Sequence, residues 1–400
     1  MAVQHTSGAP VARPGQIAPL FASYLALGFY WGVWVVVFAD YLAAHGLTEG
    51  EAGFQLGVLA VVSILTMTLV SPRLQRLPLA TTLPLGLLAM GAGALSIANL
   101  AGGWLYVAFV PLGVGNGLLD VFANVGAQGI EARTRRPVLQ FLHASYSAGG
   151  LLGALGAGFA RMAGLPFRAE LTTAAGVCLV VAGWNAGSGW LRDQPSPAPA
   201  DSNISLSVFL RSRVLIVPAI VVLAAFTVEG SMDIWSVIYL RKTLEASVAA
   251  GGIAFAAFSL AMGIGRLTAG RLLFGLGYRA TMRVSGVGSL ASGLAAALTH
   301  STVIAGVAFL FLGFFIASAA PAAFGSIADT DEEPALAIAA MTTVGYSGFV
   351  VGPPIMGWLA ETAGLRVTMV VLVLVSLGVA AGGIFGRNEH GRPGAEPGLP

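Results

Sequence analysis

The sequence predicts an all-α integral membrane protein in which twelve transmembrane helices form two pseudo-symmetric bundles of six. Of its 400 residues, 56% are hydrophobic and only 10% are charged, and the mean hydropathy is +0.83. A typical soluble domain is about 25% charged. The 54 glycines suit helices that pack closely within a bilayer. This composition excludes a cytosolic enzyme and a disordered tail protein.

Cysteine and charge content exclude several further classes. The single cysteine, Cys178, excludes intrachain disulfides, structural zinc sites and cysteine-ligated iron–sulfur clusters. The net charge of +2, with basic residues scattered along the chain, gives no nucleic-acid footprint. We therefore expect no cofactor, no metal and no nucleic-acid partner.

Apolar runs give the helix count, because a transmembrane helix needs about 20 mostly apolar residues. Residues 1–16 are polar and lack the layout of a signal peptide, so the first span is expected to be an uncleaved anchor. The runs do not alternate as barrel strands would. The twelve spans are 17–44, 50–70, 79–100, 104–131, 138–164, 169–191, 213–240, 248–269, 281–300, 303–328, 335–361 and 366–386.

The basic residues predict the orientation. With both termini cytoplasmic, 15 of the 20 Lys and Arg residues fall in inner loops and tails and 5 fall outside. This is the positive-inside bias of a multi-pass protein of the plasma (inner) membrane, in contact with membrane lipids.

A polar, proline-containing stretch divides the chain into related halves. We predict an N-terminal tail (1–16), a six-helix bundle (17–191), a cytoplasmic linker (192–210), a second bundle (211–386) and a C-terminal tail (387–400). At an offset of 200, six identities in about twenty residues place helix 5 over helix 11. Such a duplication is typical of secondary transporters, although chance similarity between Gly/Ala-rich helices is the alternative.

Four segments carry a more specific resemblance: 115–125 in helix 4, 141–150 in helix 5, 229–240 in helix 7 and 258–267 in helix 8. With these segments the chain resembles transporters of the major facilitator superfamily (MFS), and within them the MosC-like/YbjJ-like branch. The resemblance implies the MFS fold and secondary transport of a small-molecule substrate.

Two loops that the resemblance places at the inward gate depart from the superfamily pattern. The loop after helix 2 lacks the usual acid, and in the loop expected after helix 8, Gly270 stands in its place. Small residues in helix 5 (Gly149, Gly153) and helix 11 (Gly348) suggest close contacts that slide between the halves, with simple tight packing as the alternative. The gating candidates are Glu131, Arg133, Arg266, Arg271, Gly352 and Pro353.

Helix 4 carries four polar residues at intervals of four, Asn116, Asp120, Asn124 and Gln128, which therefore share one face. A polar stripe facing lipid is too costly, so it lines a substrate cavity or, alternatively, bonds neighbouring helices. The other candidate substrate contacts are aromatic residues that could instead be packing: Tyr30, Trp34, Trp235 and Tyr346.

Acids within the spans are candidates for proton coupling. Glu229 and Asp233 lie one turn apart in helix 7, and no basic residue is expected at their depth. A carboxyl that gains and loses a proton as its surroundings alternate between wet and dry is what coupling requires; a structural hydrogen-bonding role is the alternative. Asp120, Asp40 and His143 are further candidates, with a wetted interfacial position for Asp40 and a structural bond for His143 as alternatives.

These observations predict a secondary active transporter that moves a small polar solute, sugar-like or a related metabolite, with protons by alternating access. We expect a monomer and no enzymatic activity. The alternatives are a drug or metabolite efflux pump of the same fold, and a non-transporting membrane sensor or intramembrane enzyme that uses Asp120, His143 and Glu229.

Overall fold

A computed structural model describes residues 14–134, 138–193, 213–327 and 334–386. Residues 1–13 of the predicted N-terminal tail, residues 194–210 of the predicted linker and the whole predicted C-terminal tail (387–400) lie outside the described residues. The helices are α1 (Pro14–His45), α2 (Glu49–Leu74), α3 (Leu79–Asn99), α4 (Trp104–Thr134), α5 (Val138–Met162), α6 (Phe167–Gly187), α7 (Arg213–Thr243), α8 (248–276), α9 (278–298), α10 (Thr302–Gly325), α11 (Pro334–Ala363) and α12 (Leu365–Phe385).

The helix ends follow local chemistry. Helices α8 and α9 form one 51-residue helical run, Val248–Leu298, divided at Gly277, where φ is +78°. Thr48 and Glu51 form a capping box at the start of α2, which satisfies two backbone donors reciprocally. The last turns of α2 include a π-helical segment, Thr66–Val70.

Twelve membrane-spanning helices agree with the sequence prediction. Within the described residues, nine helical runs are long and apolar enough to cross a membrane, and Val248–Leu298 counts once among them although Gly277 divides it. Helices α5 and α11, of 25 and 30 residues, complete the twelve. The predicted bounds differ most at α8, which continues to residue 276 instead of ending at 269.

The turns between paired helices repeat across the two halves. Gly164 joins α5 to α6 with φ +80°, and Gly364 joins α11 to α12 with φ +85°. Only glycine adopts this left-handed conformation readily. The two residues are separated by the same 200 positions as the sequence identities, so the similarity extends to backbone conformation.

Each half has a tightly packed helix pair. A Cβ added to Gly28 or Gly32 of α1 would lie 2.0 or 2.1 Å from a carbonyl oxygen of α5. In the other half, a Cβ on Gly348 would lie 2.8 Å from the Leu223 oxygen of α7. Gly149 and Gly153 similarly face α1, and Gly352 faces α7. The expectation that these small residues form contacts between the halves is therefore wrong; they pack helices within each half, which agrees with the alternative of simple tight packing.

Contacts between the halves involve other helices. Helix α2 packs on α11, where a Cβ on Gly53 would lie 3.1 Å from the Gly357 Cα. Helix α8 packs on α5, with Gly252 facing the Ala154 oxygen. These contacts lie toward the end of the molecule that holds the α1–α2 turn. We call this end the distal end, and the one where α1 begins and α12 finishes the termini end.

Candidate functional site

A cavity of about 260 Å³ lies between the two halves. Seven helices contribute to its wall: α1, α2, α4 and α5 from the first half, and α7, α8 and α11 from the second. Its polar and aromatic lining consists of Tyr24, Trp31, Ser63, Asn116, Asp120, His143, Tyr146, Phe226, Glu229, Asp233, Arg266, Tyr346 and Phe349.

Asp120 of α4 is the centre of a hydrogen-bond network on one side of the cavity. Tyr24 of α1 donates to its Oδ1 atom at 2.7 Å, and Asn124 donates to the same oxygen at 3.1 Å. Tyr346 of α11 donates to Oδ2 at 2.6 Å. The last bond crosses between the halves, so one carboxyl is held by side chains from both.

The rest of the polar stripe of helix 4 divides between cavity and surface. Asn116 lines the cavity and accepts a hydrogen bond of 3.3 Å from Trp31 Nε1. Asn124 supports Asp120 from the next turn, whereas Gln128 is exposed. Both sequence interpretations therefore apply, since residues of the stripe line the cavity and also bond neighbouring helices.

Glu229 and Asp233 of α7 face the same cavity, accompanied by Arg266 of α8. Arg266 Nη2 donates to Glu229 Oε1 at 2.5 Å, and the two side chains are 33% and 18% exposed. The expectation that no basic residue lies at this depth is therefore wrong. The predicted span ends three residues after Arg266, whereas α8 continues ten residues past it. Inside the helix bundle, Glu229 compensates the charge of the guanidinium.

His143 of α5 lines the cavity beside the Asp120 network. Its ring meets the Tyr24 ring edge-on, with 5.4 Å between the centroids. It is half-buried. The predicted candidate therefore lies within the site, on the Asp120 side.

Three aromatic candidates lie outside the cavity. Tyr30, Trp34 and Trp235 are each no more than 1% exposed, and none is among the described residues that line the cavity. Trp34 packs against Tyr30 and Phe38, and Phe38 contacts Trp235. Their placement corresponds to the packing alternative, whereas the fourth aromatic candidate, Tyr346, reaches the cavity.

Asp40 lies near the distal end and does not line the cavity described above. It pairs with Arg161 of α5 at 2.9 Å and with Arg241 of α7 at 2.8 Å. Arg241 belongs to the other half, so this cluster joins the halves. A second pair, Lys242 with Glu49 at 2.6 Å, does the same.

The remaining gating candidates are placed as follows. Glu131 accepts a hydrogen bond of 3.1 Å from the Leu139 backbone at the α4–α5 connection. Arg133 is exposed in the last turn of α4, and Arg271 is exposed within α8 instead of in a loop. Pro353 lines the cavity, and the adjacent Gly352 packs toward α7.

Sequence reasoning missed two tyrosines that line the site, Tyr24 and Tyr146. Tyr24, Leu27 and Trp31 are spaced by three and four residues, so they share one face of α1. That spacing was available from the sequence. Tyr146 lies in the repeated segment that aligns with Tyr346, and both residues of this aligned pair reach the cavity.

The sequence matches a known protein family over most of its length. The sequence profile described as Major Facilitator Superfamily matches residues 20–329 and 219–398. The chain belongs to this superfamily. The resemblance seen in the four sequence segments is thereby confirmed, and the protein is an MFS-type transporter of small-molecule substrates.

Related proteins align with nearly the whole length of this chain. An uncharacterized MFS-type transporter of Yersinia pestis is 28% identical over 377 residues, covering 92% of this chain and 96% of the relative. Membrane protein MosC of Rhizobium meliloti is 27% identical over 378 residues, covering 92% and 89%. The similarity to MosC is consistent with the expected branch.

Solved structures confirm the fold. A bacterial homolog of the human lysosomal transporter Spinster, in an inward-facing and occupied conformation, matches with a TM-score of 0.74 at 14% identity, covering 95% of this chain and 97% of that one. The nucleoside transporter NupG matches with a TM-score of 0.71 at 13% identity, covering 93% and 98%. At these identities the similarity concerns architecture alone.

Proposed function

We propose that this MFS-type transporter carries a small polar solute, sugar-like or a related metabolite, across the inner membrane together with protons. The observation that carries the proposal is the cavity between the halves, into which Asp120, Glu229 and Asp233 project from α4 and α7. Ionisable side chains at such depth are costly and accompany transport pathways. A cavity at the interface between repeats is where secondary transporters hold their substrate.

The size and lining of the cavity favour a small solute that forms hydrogen bonds. Its volume of about 260 Å³ is slightly below the ~300–1,000 Å³ of ordinary ligand pockets. Asn116, His143 and the Asp120 network offer donors and acceptors, and Trp31 offers an aromatic face. This combination suits hydroxyl-bearing solutes.

Proton coupling is assigned to the Glu229, Asp233 and Arg266 group. Arg266 forms an ion pair with Glu229 in the arrangement described. A change in this pairing as the halves move would alter how readily the carboxyls hold protons. Asp233 lies one turn along α7 in the same cavity and is the second proton site of the proposal.

Alternating access is assigned to rocking of residues 17–191 against 211–386, with both termini cytoplasmic and the protein a monomer. The distal end is held by Asp40 with Arg241, by Glu49 with Lys242, and by the close approach of α2 to α11 at Gly53. These contacts would break when the cavity opens at the distal end. Their arrangement supports a state closed to the outside.

Uptake by proteoliposomes tests the proposal. Vesicles containing the transporter are given labelled sugars and related metabolites, with and without an imposed pH gradient. We expect the gradient to accelerate uptake by the wild type, and Glu229→Gln or Asp233→Asn to remove that acceleration. Glu245→Gln is the matched control, because Glu245 is exposed beyond the end of α7.

Two results would count against the proposal. Equal uptake with and without the gradient, in both the wild type and Glu229→Gln, would exclude coupling through this carboxyl. Absence of uptake of every solute would contradict the assignment to polar solutes. Melting curves of each variant would identify a loss of folding.

A further inference from the structure

The cavity contains more negative than positive side chains. Among the described lining residues, Asp120, Glu229 and Asp233 carry carboxyls, and Arg266 carries the one guanidinium. With Asp120, Glu229 and Arg266 ionised and His143 neutral, the formal excess is one negative charge when Asp233 carries a proton and two when it does not. An anionic solute would be repelled by this lining, and a neutral one would leave the excess uncompensated.

The four ionisable groups lie in two parts. Glu229, Asp233 and Arg266 belong to α7 and α8, and the guanidinium is engaged by Glu229 at 2.5 Å. Asp120 belongs to α4, in the other half. Its described hydrogen-bond partners are the neutral groups of Tyr24, Asn124 and Tyr346. The Asp120 charge is therefore held in place by dipoles and is not neutralised by them.

Asp120 retains the capacity to bind a further donor. Its Oδ1 atom accepts from Tyr24 and Asn124, whereas its Oδ2 atom accepts from Tyr346 alone among the described bonds. A carboxylate oxygen has two acceptor positions. One position on Oδ2 is thus available to a ligand, and a charged donor makes the stronger bond there.

The two tyrosines that bond this carboxyl pack against three further aromatic rings. Tyr24 lies 6.0 Å from Tyr146, and Tyr346 lies 5.9 Å from Phe226 and 6.0 Å from Phe349, measured between ring centroids. All five rings line the cavity. The faces of aromatic rings attract organic cations, and cages of such rings recognise quaternary ammonium groups. A fixed carboxylate among aromatic walls is the chemistry that binds an ammonium group.

We infer that the transported solute carries a positively charged amine or quaternary ammonium group. This group binds beside Asp120, and the hydroxyl groups of the solute contact the rest of the cavity. The rings that line the cation site are those of Tyr24, Tyr146, Tyr346, Phe226 and Phe349. The inference rests on the proposed transport function. It adds the charge of the solute and separates the cation site from the proton site. Asp120 of the first half binds the cation together with rings from both halves, and the second half holds Glu229, Asp233 and Arg266 for protons.

Matched pairs of probes isolate the contribution of the solute's positive charge to binding. Choline and 3,3-dimethylbutan-1-ol have the same shape and differ in the positive charge; D-glucosamine and D-glucose differ in an ammonium group at one carbon. Binding to the purified full-length transporter in lipid nanodiscs is measured by calorimetry. We expect at least one amine to bind about tenfold or more tightly than its neutral partner.

Variants test the location. Asp120→Asn should weaken amine binding about tenfold or more and weaken binding of the neutral partners by a smaller factor. Asp193→Asn is the matched control, since Asp193 is exposed beyond α6. If Asp120→Asn does not fold, Phe226→Leu serves instead: it keeps an apolar wall, removes one ring face, and should weaken choline more than dimethylbutanol.

Each outcome is decisive. Equal binding of charged and neutral partners, binding of none of the amines, or amine binding unchanged in Asp120→Asn would overturn the inference. The same four probes in the vesicle assay separate this failure from that of the proposed function. Gradient-driven uptake of a neutral probe without amine preference would leave proton-coupled transport standing and refute the amine site. Amine binding that depends on Asp120, without uptake, would support the site and contradict coupled transport.

Discussion

The ion pair between Asp40 and Arg241 makes a quantitative prediction about the conformational equilibrium. Arg241 Nη1 and Nη2 donate to the two Asp40 oxygens at 2.8 and 3.1 Å, so the pair is bidentate. Asp40 also pairs with Arg161 of its own half. The substitution Arg241→Gln therefore removes the pair that joins the halves and leaves Asp40 with a cationic partner.

The size of the effect follows from burial. Both side chains of the pair are 17% exposed. Exposed pairs contribute about 0.2–1 kcal/mol, and breaking a buried pair costs about 3–5 kcal/mol. Asp40 retains Arg161 as a partner, so the loss of the Arg241 pair should cost less than breaking a buried pair completely. We therefore expect the closed state to lose about 1–2 kcal/mol, a value between these two ranges. This corresponds to a change of about 5–30-fold in the ratio of states open and closed at the distal end.

Electron spin resonance distances provide the assay. Spin labels on cysteines placed at Ala44 and Ala363, which are exposed at the distal ends of α1 and α11, report the separation of the halves. The native Cys178 is fully buried and is not expected to react. We expect Arg241→Gln to increase the population at longer distance.

The neighbouring residue supplies the control. Lys242 pairs with Glu49 across the same interface, but its side chain is 38% exposed. Exposed pairs contribute at most about 1 kcal/mol, so Lys242→Gln should change the ratio by no more than about fivefold. An unchanged distance distribution in Arg241→Gln, or a larger shift in Lys242→Gln, would refute the assignment of the Asp40 cluster to closure of the distal end.

Two other predictions concern packing and solute binding. Gly32→Ala should lower the free energy of unfolding by about 1–3 kcal/mol, because the added Cβ would lie 2.1 Å from a carbonyl oxygen of α5. Gly156→Ala is the control and should not lower it, since nothing lies within 4 Å of the added Cβ. Equal melting temperatures for the two variants would contradict the close α1–α5 packing. Tyr346→Phe removes one hydrogen bond to Asp120. The loss of about 1–1.4 kcal/mol should weaken solute binding about 5–10-fold, measured by calorimetry. An unchanged affinity would show that this hydrogen bond does not contribute to the binding site.

The helices could be predicted from the sequence because hydropathy and length determine which segments span a bilayer. The exception is the end of α8, where the prediction stopped at residue 269 and the helix reaches 276. Arg271 lies in the loop expected after residue 269, and Arg266 lies close to that predicted helix end. The partner that lets Arg266 remain inside the bundle, Glu229, lies 37 positions earlier on another helix, and no local pattern identifies such a pair.

The site was only partly predictable for a related reason. Asp120 and Glu229 were identified because charges within spans are rare and costly. Aromatic residues give no such signal, since a buried tryptophan that packs and one that binds a ligand have the same local sequence. Trp34 packs in the interior, whereas Trp31, three residues earlier, lines the cavity. Which face of α1 meets the cavity depends on how the halves pack.

Proton movement driven by the solute itself is the strictest test of proton coupling. Weakly buffered proteoliposomes enclosing a pH-sensitive dye receive a solute identified by the uptake screen, with no gradient imposed. We expect the lumen to become acidic as solute enters through the wild type, and the pH to remain constant in Glu229→Gln. Solute entry through the wild type without any change of pH, or acidification that persists in Glu229→Gln, would contradict proton coupling through Glu229.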